Sequence, residues 1–188
     1  MKHTDTRIKV TKSIFHRSLI DLLEEKPIDR ITVKELVEIA ELNRSTFYLH
    51  YSCPLDVLRE MQDQFLEEKL KSFATYWVGI PEEGLMAKLI SLTLEDKELF
   101  RLFLSDHGDP QFLSSLKPLV KDGIIKGWHS DHPRISKEKL EFVFDYVFTG
   151  SSKLIQGWLS DPKGVSQEEF SHRLERLGHY ALLAAEKF

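Results

Sequence analysis

The chain has 188 residues, of which 26 are Lys or Arg and 30 are Asp or Glu, so its formal net charge is −4. Its composition, 41% hydrophobic and 30% charged, is typical of a globular protein long enough to bury a core of its own. The single cysteine excludes an intramolecular disulfide framework and a cysteine-rich zinc module, and the acidic balance argues against a surface coated with nucleic acid.

Apolar residues recur at helical spacing along the chain and predict an all-α fold. Pro27 ends the first helix, and Thr32 with Glu35 has the spacing of a capping box at the start of the second. Asn43 is a suitable N-cap for the third, and Pro54 suits the first turn of the fourth. The predicted helices, about nine, are 8–25, 32–39, 44–50, 55–77, 82–93, 95–106, 110–129, 136–159 and 166–187.

Helix-breaking residues divide the chain after its first third. The cluster Val78-Gly-Ile-Pro81 separates the fourth predicted helix from the rest. We therefore expect an N-terminal domain over 7–67 and a C-terminal domain over 68–188. Later breaks are each followed by a capping residue, namely Asp109, Ser136 and Ser166.

The sequence shows neither a membrane segment nor an export signal. Uncharged stretches are shorter than the ~18 apolar residues of a spanning helix, and the first twelve residues are polar. A reducing, cytoplasmic setting is the simplest expectation.

The most informative feature is a pair of very short helices, 32–39 and 44–50, joined by a turn of about three residues. Helices this short are marginal alone and must be held by packing. Two short helices in this order, between longer ones, predict a helix-turn-helix motif over about 31–50, whose second helix fits the major groove of DNA.

The residue types in this motif suit DNA contact. Arg44 can bind guanine with two hydrogen bonds, and Asn43 can do the same with adenine. Tyr48 and His50 offer donors to phosphate oxygens, and Thr32 lies at a positive helix end. The predicted DNA-binding residues are Thr32, Lys34, Asn43, Arg44, Ser45, Thr46, Tyr48 and His50.

The charge distribution favours the same interpretation. Residues 1–18 hold five basic side chains against Asp5 alone, and residues 1–66 hold 10 basic and 11 acidic residues. Residues 67–188 hold 16 basic and 19 acidic residues, so the acidic excess lies mostly outside the motif. Residues 1–6 have the alternative of a solvated tail, because chain termini fray.

The run from Ile31 to Tyr51 resembles the DNA-binding segment of TetR/AcrR-family transcriptional regulators. Its most specific parts are Thr46-Phe47-Tyr48 and His50-Tyr51, and the resemblance covers roughly residues 7–66. It implies an all-helical homodimer that binds a palindromic double-stranded DNA operator. It also implies a C-terminal domain for dimerisation and for sensing a small-molecule effector, whose identity stays unknown.

Three positions depart from the family pattern. Glu41 replaces the common turn glycine, so the turn must use a non-glycine conformation. Leu49 replaces a frequent aromatic or polar contact, and Pro54 stands where many members carry a phosphate-binding lysine. Pro54 cannot make the contact by which that lysine anchors many family members to the DNA backbone.

Two further sets of residues are predicted in the C-terminal domain. Aromatic side chains and one histidine form a candidate ligand pocket, listed as Phe100, Phe103, His107, Trp128, Phe142 and Tyr146. Helices 136–159 and 166–187 are predicted to pair with their symmetry mates, through Leu154, Trp158, Leu174, Leu177, Tyr180 and Leu183. For each pocket residue alone, plain core packing is the alternative.

Other chemistries find little support. Histidine and aspartate residues at predicted helix ends suit capping better than a metal site, namely His107, Asp109, His129, Asp131 and His132. Cys53 lacks a resolving cysteine, and the sequence contains no glycine-rich phosphate loop and no nucleophile elbow. We therefore expect no enzyme, no cofactor and no metal.

The sequence thus predicts a ligand-responsive transcriptional repressor that binds its operator as a homodimer. The alternative is a co-regulator of the same fold that acts through protein–protein contacts without binding DNA.

Overall fold

The computed structural model describes residues 2–76, 91 and 94–187, and within these ranges the chain is helical with no strand. A one-turn 3-10 helix spans Ile28–Arg30. The α-helices are α1 Lys2–Glu25, α2 Val33–Ile39, α3 Arg44–Tyr48, α4 Pro54–Tyr76, α5 Lys97–Leu104, α6 Phe112–Asp131, α7 Lys137–Ser160 and α8 Gln167–Ala185. The all-α fold class is confirmed, and the predicted helix 82–93 lies outside the described residues except for Ser91.

The ends of α1 and α3 differ from the prediction. α1 begins at Lys2, so the polar N-terminal residues continue the first helix instead of forming a separate tail. α3 ends at Tyr48, two residues early, and Asn43 occupies its N-cap position without a side-chain capping bond. Ser136 and Ser166 cap as expected, because their hydroxyls accept hydrogen bonds from backbone amides three residues on.

The chain forms two compact units. The first, here called the head, comprises Met1–Glu68 with Leu102–Phe112, and the second, the body, comprises Lys69–Arg101 with Leu113–Phe188. The head is therefore larger than the predicted domain 7–67, because it includes the segment Leu102–Phe112, which lies well beyond α4 in the sequence. In the described ranges, no helix is both long and apolar enough to span a bilayer.

Three aromatic rings form the centre of the head. Phe15 of α1 meets Phe47 of α3 edge-on, with ring centroids 5.4 Å apart, and Tyr51 lies 6.1 Å from Phe15 and 5.7 Å from Phe47. Phe15 and Phe47 are fully buried, and Tyr51 is nearly so. The i, i+4 spacing of Phe47 and Tyr51 predicts an inward-facing pair, and the structure confirms it.

The segment Leu102–Phe112 is fixed to the head by polar contacts. Ile28 donates its amide to the His107 carbonyl at 2.9 Å, and His107 Nδ1 donates to the Leu23 carbonyl at 2.7 Å. Asp109, which is buried, accepts from Arg59 Nε at 3.1 Å. Within the segment itself, Gly108 lets the chain return close to the end of α5, because a Cβ there would lie 2.7 Å from the carbonyl oxygen of Phe103.

The body has its core between α6, α7 and α8. Trp128 of α6 packs on Phe144 of α7 at 6.4 Å between ring centroids, with Leu182 of α8 in the same cluster. A second cluster holds Trp158 stacked on Phe170 at 4.8 Å. These contacts leave one face of α7 and α8 on the surface.

The turn between α2 and α3 contains a strained residue, Glu41, and the strain should be measurable. Glu41 has φ = 53°, and the Leu42 amide donates to the Val37 carbonyl at 3.1 Å, which is the bond pattern of a helix ending in a left-handed residue. A left-handed non-glycine residue costs about 1–2 kcal/mol, partly offset by the greater chain entropy of glycine in the unfolded state. We expect Glu41→Gly to raise the free energy of unfolding in urea by about 0.5–1 kcal/mol.

Glu38→Gly is the matched control for this substitution, because Glu38 lies within right-handed α2. It should lower the free energy of unfolding by about 1 kcal/mol. Equal destabilisation by both substitutions would contradict the strained turn.

Candidate nucleic-acid interface

A capping box starts α2. The Thr32 hydroxyl accepts from the Glu35 amide at 3.3 Å, and the Glu35 carboxylate accepts from the Thr32 amide at 2.9 Å and the Thr32 hydroxyl at 2.8 Å. Lys26 donates to the other oxygen of Glu35 at 2.5 Å. The predicted capping box is confirmed, and the chain's own Glu35 carboxylate lies at the positive N-terminus of α2.

α3 presents two side-chain pairs to solvent. Arg44 and Tyr48 are four residues apart, as are Ser45 and Leu49, and all four are exposed. Leu49 keeps right-handed helical backbone angles as the C-cap residue, so it continues the face of the helix. Phe47 points the opposite way into the core of the head. α3 is thus held by its inner face and offers a mixed polar and apolar outer face.

The structure brings the eight predicted DNA-binding residues onto α2, the turn and α3. Thr46 and His50 are partly buried, and the exposed members are Thr32, Lys34, Asn43, Arg44, Ser45 and Tyr48. Lys34 pairs weakly with Glu38 at 3.8 Å, with both side chains largely exposed. Pro54 is buried at the start of α4 and cannot supply the phosphate contact of a lysine.

A polar cluster behind α3 has no counterpart in the sequence prediction. The Glu60 carboxylate on α4 accepts from Lys12, from the Tyr51 hydroxyl at 2.9 Å and from His16 Nε2 at 3.1 Å. The Glu60 carboxylate thereby joins α1 and α4 to Tyr51, which lies three residues after the end of α3. Since the partners lie 9 to 48 residues from Glu60, no local pattern marks them.

Burial and hydrogen bonding set the ionisation of this cluster. Burial, with the neighbouring Glu60 carboxylate, raises the pKa of Tyr51, so its hydroxyl stays protonated and donates. Burial alone would raise the pKa of Glu60, but the hydrogen bonds from Lys12 and Tyr51 outweigh it and lower the pKa. Burial lowers the pKa of His16 more than Glu60 raises it.

The six predicted pocket residues are divided between the two compact units. Phe103 and His107 belong to the head, where Phe103 packs between Phe65 and Phe112 and His107 binds the Leu23 carbonyl. Phe100 and Trp128 are buried in the body.

Phe142 and Tyr146 have 68% and 72% of their surfaces exposed, which does not fit a place in an enclosed pocket. The inward stripe of α7 consists of Leu140, Val143 and Phe144, which leaves residues 142 and 146 on the outer face.

The predicted dimer residues fall into two groups. Leu154, Leu177 and Tyr180 are exposed on α7 and α8, and Leu183 is half-buried. Leu174 is buried within its own protomer, and Trp158 stacks on Phe170 and donates Nε1 to the Val165 carbonyl at 3.0 Å. Those two residues stabilise the body itself.

Three of the five histidine and aspartate residues weighed for metal binding make other contacts in the described part of the chain. His107 and Asp109 hold the Leu102–Phe112 segment to the head. His129 and Asp131 lie in the last turn of α6, and His132 Nδ1 is 3.7 Å from Glu186. Among the described residues, no three His, Cys, Asp or Glu side chains group as metal ligands would.

Solved structures share the architecture over nearly the whole chain. A TetR transcriptional regulator of Streptococcus agalactiae is 20% identical, with a TM-score of 0.70, covering 94% of this chain and 98% of its own. The fatty acid degradation regulator FadR of Bacillus halodurans is 10% identical, with a TM-score of 0.66 and coverage of 89% and 93%.

A third structure, the dihydroxyacetone kinase operon activator DhaS, is 16% identical, with a TM-score of 0.58 and coverage of 95% and 97%. No curated protein sequence matches significantly. At these identities the structural likeness defines the fold.

The helix-turn-helix of the head, followed by a helical body, is the architecture of the solved TetR regulator structures. A TetR family model described as a transcriptional regulator C-terminal region matches residues 83–180, just over half of the chain. The chain belongs to the TetR family of transcriptional regulators.

The capping box predicts an acid-dependent contribution to stability. The hydrogen bonds from Lys26 and Thr32 lower the pKa of Glu35 from 4.5 to about 2. A carboxylate with a lowered folded-state pKa stabilises the fold above its unfolded pKa and loses that contribution as the pH falls. We expect wild type to exceed Glu35→Gln in stability above about pH 5, with the difference vanishing as the pH falls to about 2.

Urea titrations at several pH values measure this difference. Glu38→Gln is the matched control, since it removes an exposed carboxylate from the same helix outside the capping box. A Glu35→Gln difference that stays constant from pH 7 to pH 2 would contradict the role of the ionised carboxylate.

Proposed function

We propose that this protein is a sequence-specific transcriptional repressor that binds a palindromic operator as a homodimer and responds to a small-molecule effector. The observation that carries the proposal is the outer face of α3. Arg44, Ser45 and Tyr48 are exposed there, while Phe47 on the opposite side of the helix is buried against Phe15. A short polar helix held in this way is suited to insertion into the major groove. Operator DNA implies a cytoplasmic location.

The homodimer is supported by the surface of the body. Phe142, Tyr146 and Leu154, at positions i, i+4 and i+12 of α7, are all exposed. Leu177 and Tyr180 are exposed on the neighbouring α8. Several large apolar side chains exposed on two neighbouring helices are typical of an interaction site in a soluble protein. We therefore assign Phe142 and Tyr146 to the dimer face instead of the ligand pocket.

The pairing of two such faces gives a two-fold symmetric dimer with two copies of α3. A helix-turn-helix dimer places its recognition helices about one turn of DNA apart, roughly 34–36 Å or slightly more. An effector that binds one spacing better than the other would shift the population between them. α4, which continues from the head into the body, is the covalent link for such a response.

The sign of regulation is part of the proposal. One structural neighbour is named an operon activator, so the fold serves activators too. A reporter gene downstream of the selected operator distinguishes the two signs: repression requires expression to rise when the regulator is deleted.

The second candidate function is a co-regulator that contacts another protein and does not use DNA. Pro54 favours it, because the start of α4 lacks a cationic side chain for a phosphate. Selection of random DNA duplexes on the purified protein separates the two functions. A palindromic consensus with two half-sites supports the regulator, and recovery of unenriched sequence supports the co-regulator.

A further inference from the structure

Leu49 is the most exposed large apolar side chain in the described part of the head, with 78% of its surface accessible to solvent. It contributes little to the core, which Phe47 fills from the opposite side of the same helix. A leucine at this position therefore does little to stabilise the head.

The position of Leu49 places it on the outer face of α3. Arg44 and Tyr48 form one pair at i, i+4, and Ser45 and Leu49 form the adjacent pair. From Arg44 to Leu49 the helix rises about 7.5 Å, which is less than the ~12 Å width of the major groove. The axial separation therefore allows Leu49 to lie in the same groove when Arg44 contacts a base edge.

We propose that Leu49 is a specificity-determining residue that reads the C5-methyl group of a thymine, within about two base pairs of the base contacted by Arg44. This inference rests on the proposed operator binding. The thymine methyl is the one apolar group that base pairs present in the major groove, and a leucine side chain has no hydrogen-bonding group with which to read any other feature. Leu49 thus adds an apolar contact beside the polar contacts of Arg44, Ser45 and Tyr48.

Replacing thymine by deoxyuridine removes the methyl group without altering any hydrogen-bonding group. Each thymine of the selected operator is replaced in turn, symmetrically in both half-sites, and dissociation constants are measured by fluorescence anisotropy. We expect one thymine per half-site to be sensitive, with a loss of about threefold to tenfold for each methyl group removed. The other thymines should bind within twofold of the unmodified operator.

The variant Leu49→Ala assigns the effect to this side chain. It should bind the unmodified operator more weakly than wild type and lose nothing further when the sensitive thymine is replaced. Leu49→Met, which keeps an apolar side chain of similar size, should retain most of the sensitivity. Ile39→Ala removes another exposed apolar side chain, on α2, and should leave the wild-type profile unchanged.

The outcomes separate this inference from the proposed function. Selective operator binding by wild type, with a flat deoxyuridine scan or an undiminished penalty in Leu49→Ala, overturns the role of Leu49 and leaves the regulator intact. Absence of any selected operator overturns both. If Leu49→Ala loses the deoxyuridine penalty while Leu49→Met and Ile39→Ala keep it, the result supports both the role of Leu49 and the proposed function.

Discussion

Replacement of Arg44 by alanine should weaken operator binding by about tenfold to a hundredfold and broaden base preference at one position in each half-site. Arg44 is exposed at the first position of α3, where side chains of a recognition helix reach base edges. A bidentate contact between arginine and guanine contributes about 1–3 kcal/mol of discrimination. Anisotropy titrations against the operator and its single-base variants measure both effects.

Tyr48→Phe is the matched control for Arg44→Ala, because it removes a proposed contact with the DNA backbone instead of a contact with a base. It keeps the ring against Phe47, whose centroid lies 5.5 Å away, and removes only the exposed hydroxyl. Because a phosphate contact carries no base information, this variant should weaken all sequences alike, by a few-fold. If the two variants show the same pattern, or neither changes binding, the assigned roles of Arg44 and Tyr48 are wrong.

Tyr146→Asp should convert the dimer into monomers. The side chain is 72% exposed on α7, and in a two-fold interface its replacement would place a carboxylate in both partners. Burying unpaired charge at an interface costs several kcal/mol, so we expect the dimer dissociation constant to rise at least about a hundredfold. Sedimentation equilibrium should show wild type at twice the chain mass of 21.9 kDa and the variant at that mass.

Operator binding should fail together with dimerisation. A monomer forfeits the gain from linking two half-site contacts, a factor of about 10²–10⁴. Leu119→Asp is the matched control, because Leu119 is an exposed leucine on α6 outside the proposed dimer face. A Tyr146→Asp protein that stays dimeric, or a Leu119→Asp protein that dissociates, would contradict the proposed interface.

Helix starts were the most predictable part of the fold, because their signals are local. Thr32 with Glu35 and the hydroxyls of Ser136 and Ser166 act within three residues, and the structure shows these caps. The left-handed Glu41 follows from the absence of glycine at a sharp turn. The inward direction of Phe47 and Tyr51 follows from their spacing.

Contacts between distant residues were not predictable from one sequence. The Lys12–Glu60 pair spans 48 positions, Arg59–Asp109 spans 50 and His107–Leu23 spans 84. The last two explain why the head includes Leu102–Phe112, a segment that the sequence assigns to the second domain. Only the folded chain reveals which of many similar polar side chains meet.

The prediction of the ligand pocket shows the limit of residue type as evidence. Phe142 and Phe144 are equally apolar and two positions apart, yet Phe144 is buried and Phe142 is exposed. On a helix bordered by both a core and a proposed partner surface, aromatic residues lie on more than one face. Composition alone therefore cannot separate a pocket from a dimer interface.

The central claim is that this TetR-family regulator uses α3, with Arg44, and Lys34 of the neighbouring α2 to bind a specific DNA sequence. The most direct test is an anisotropy titration of the selected operator and a scrambled duplex between 50 and about 200 mM salt. The account predicts nanomolar affinity for the operator, at least about a thousandfold weaker binding to the scrambled duplex, and a log–log salt slope of about −2 or steeper. Equal affinity for both duplexes, or an affinity that does not change with salt, would contradict it.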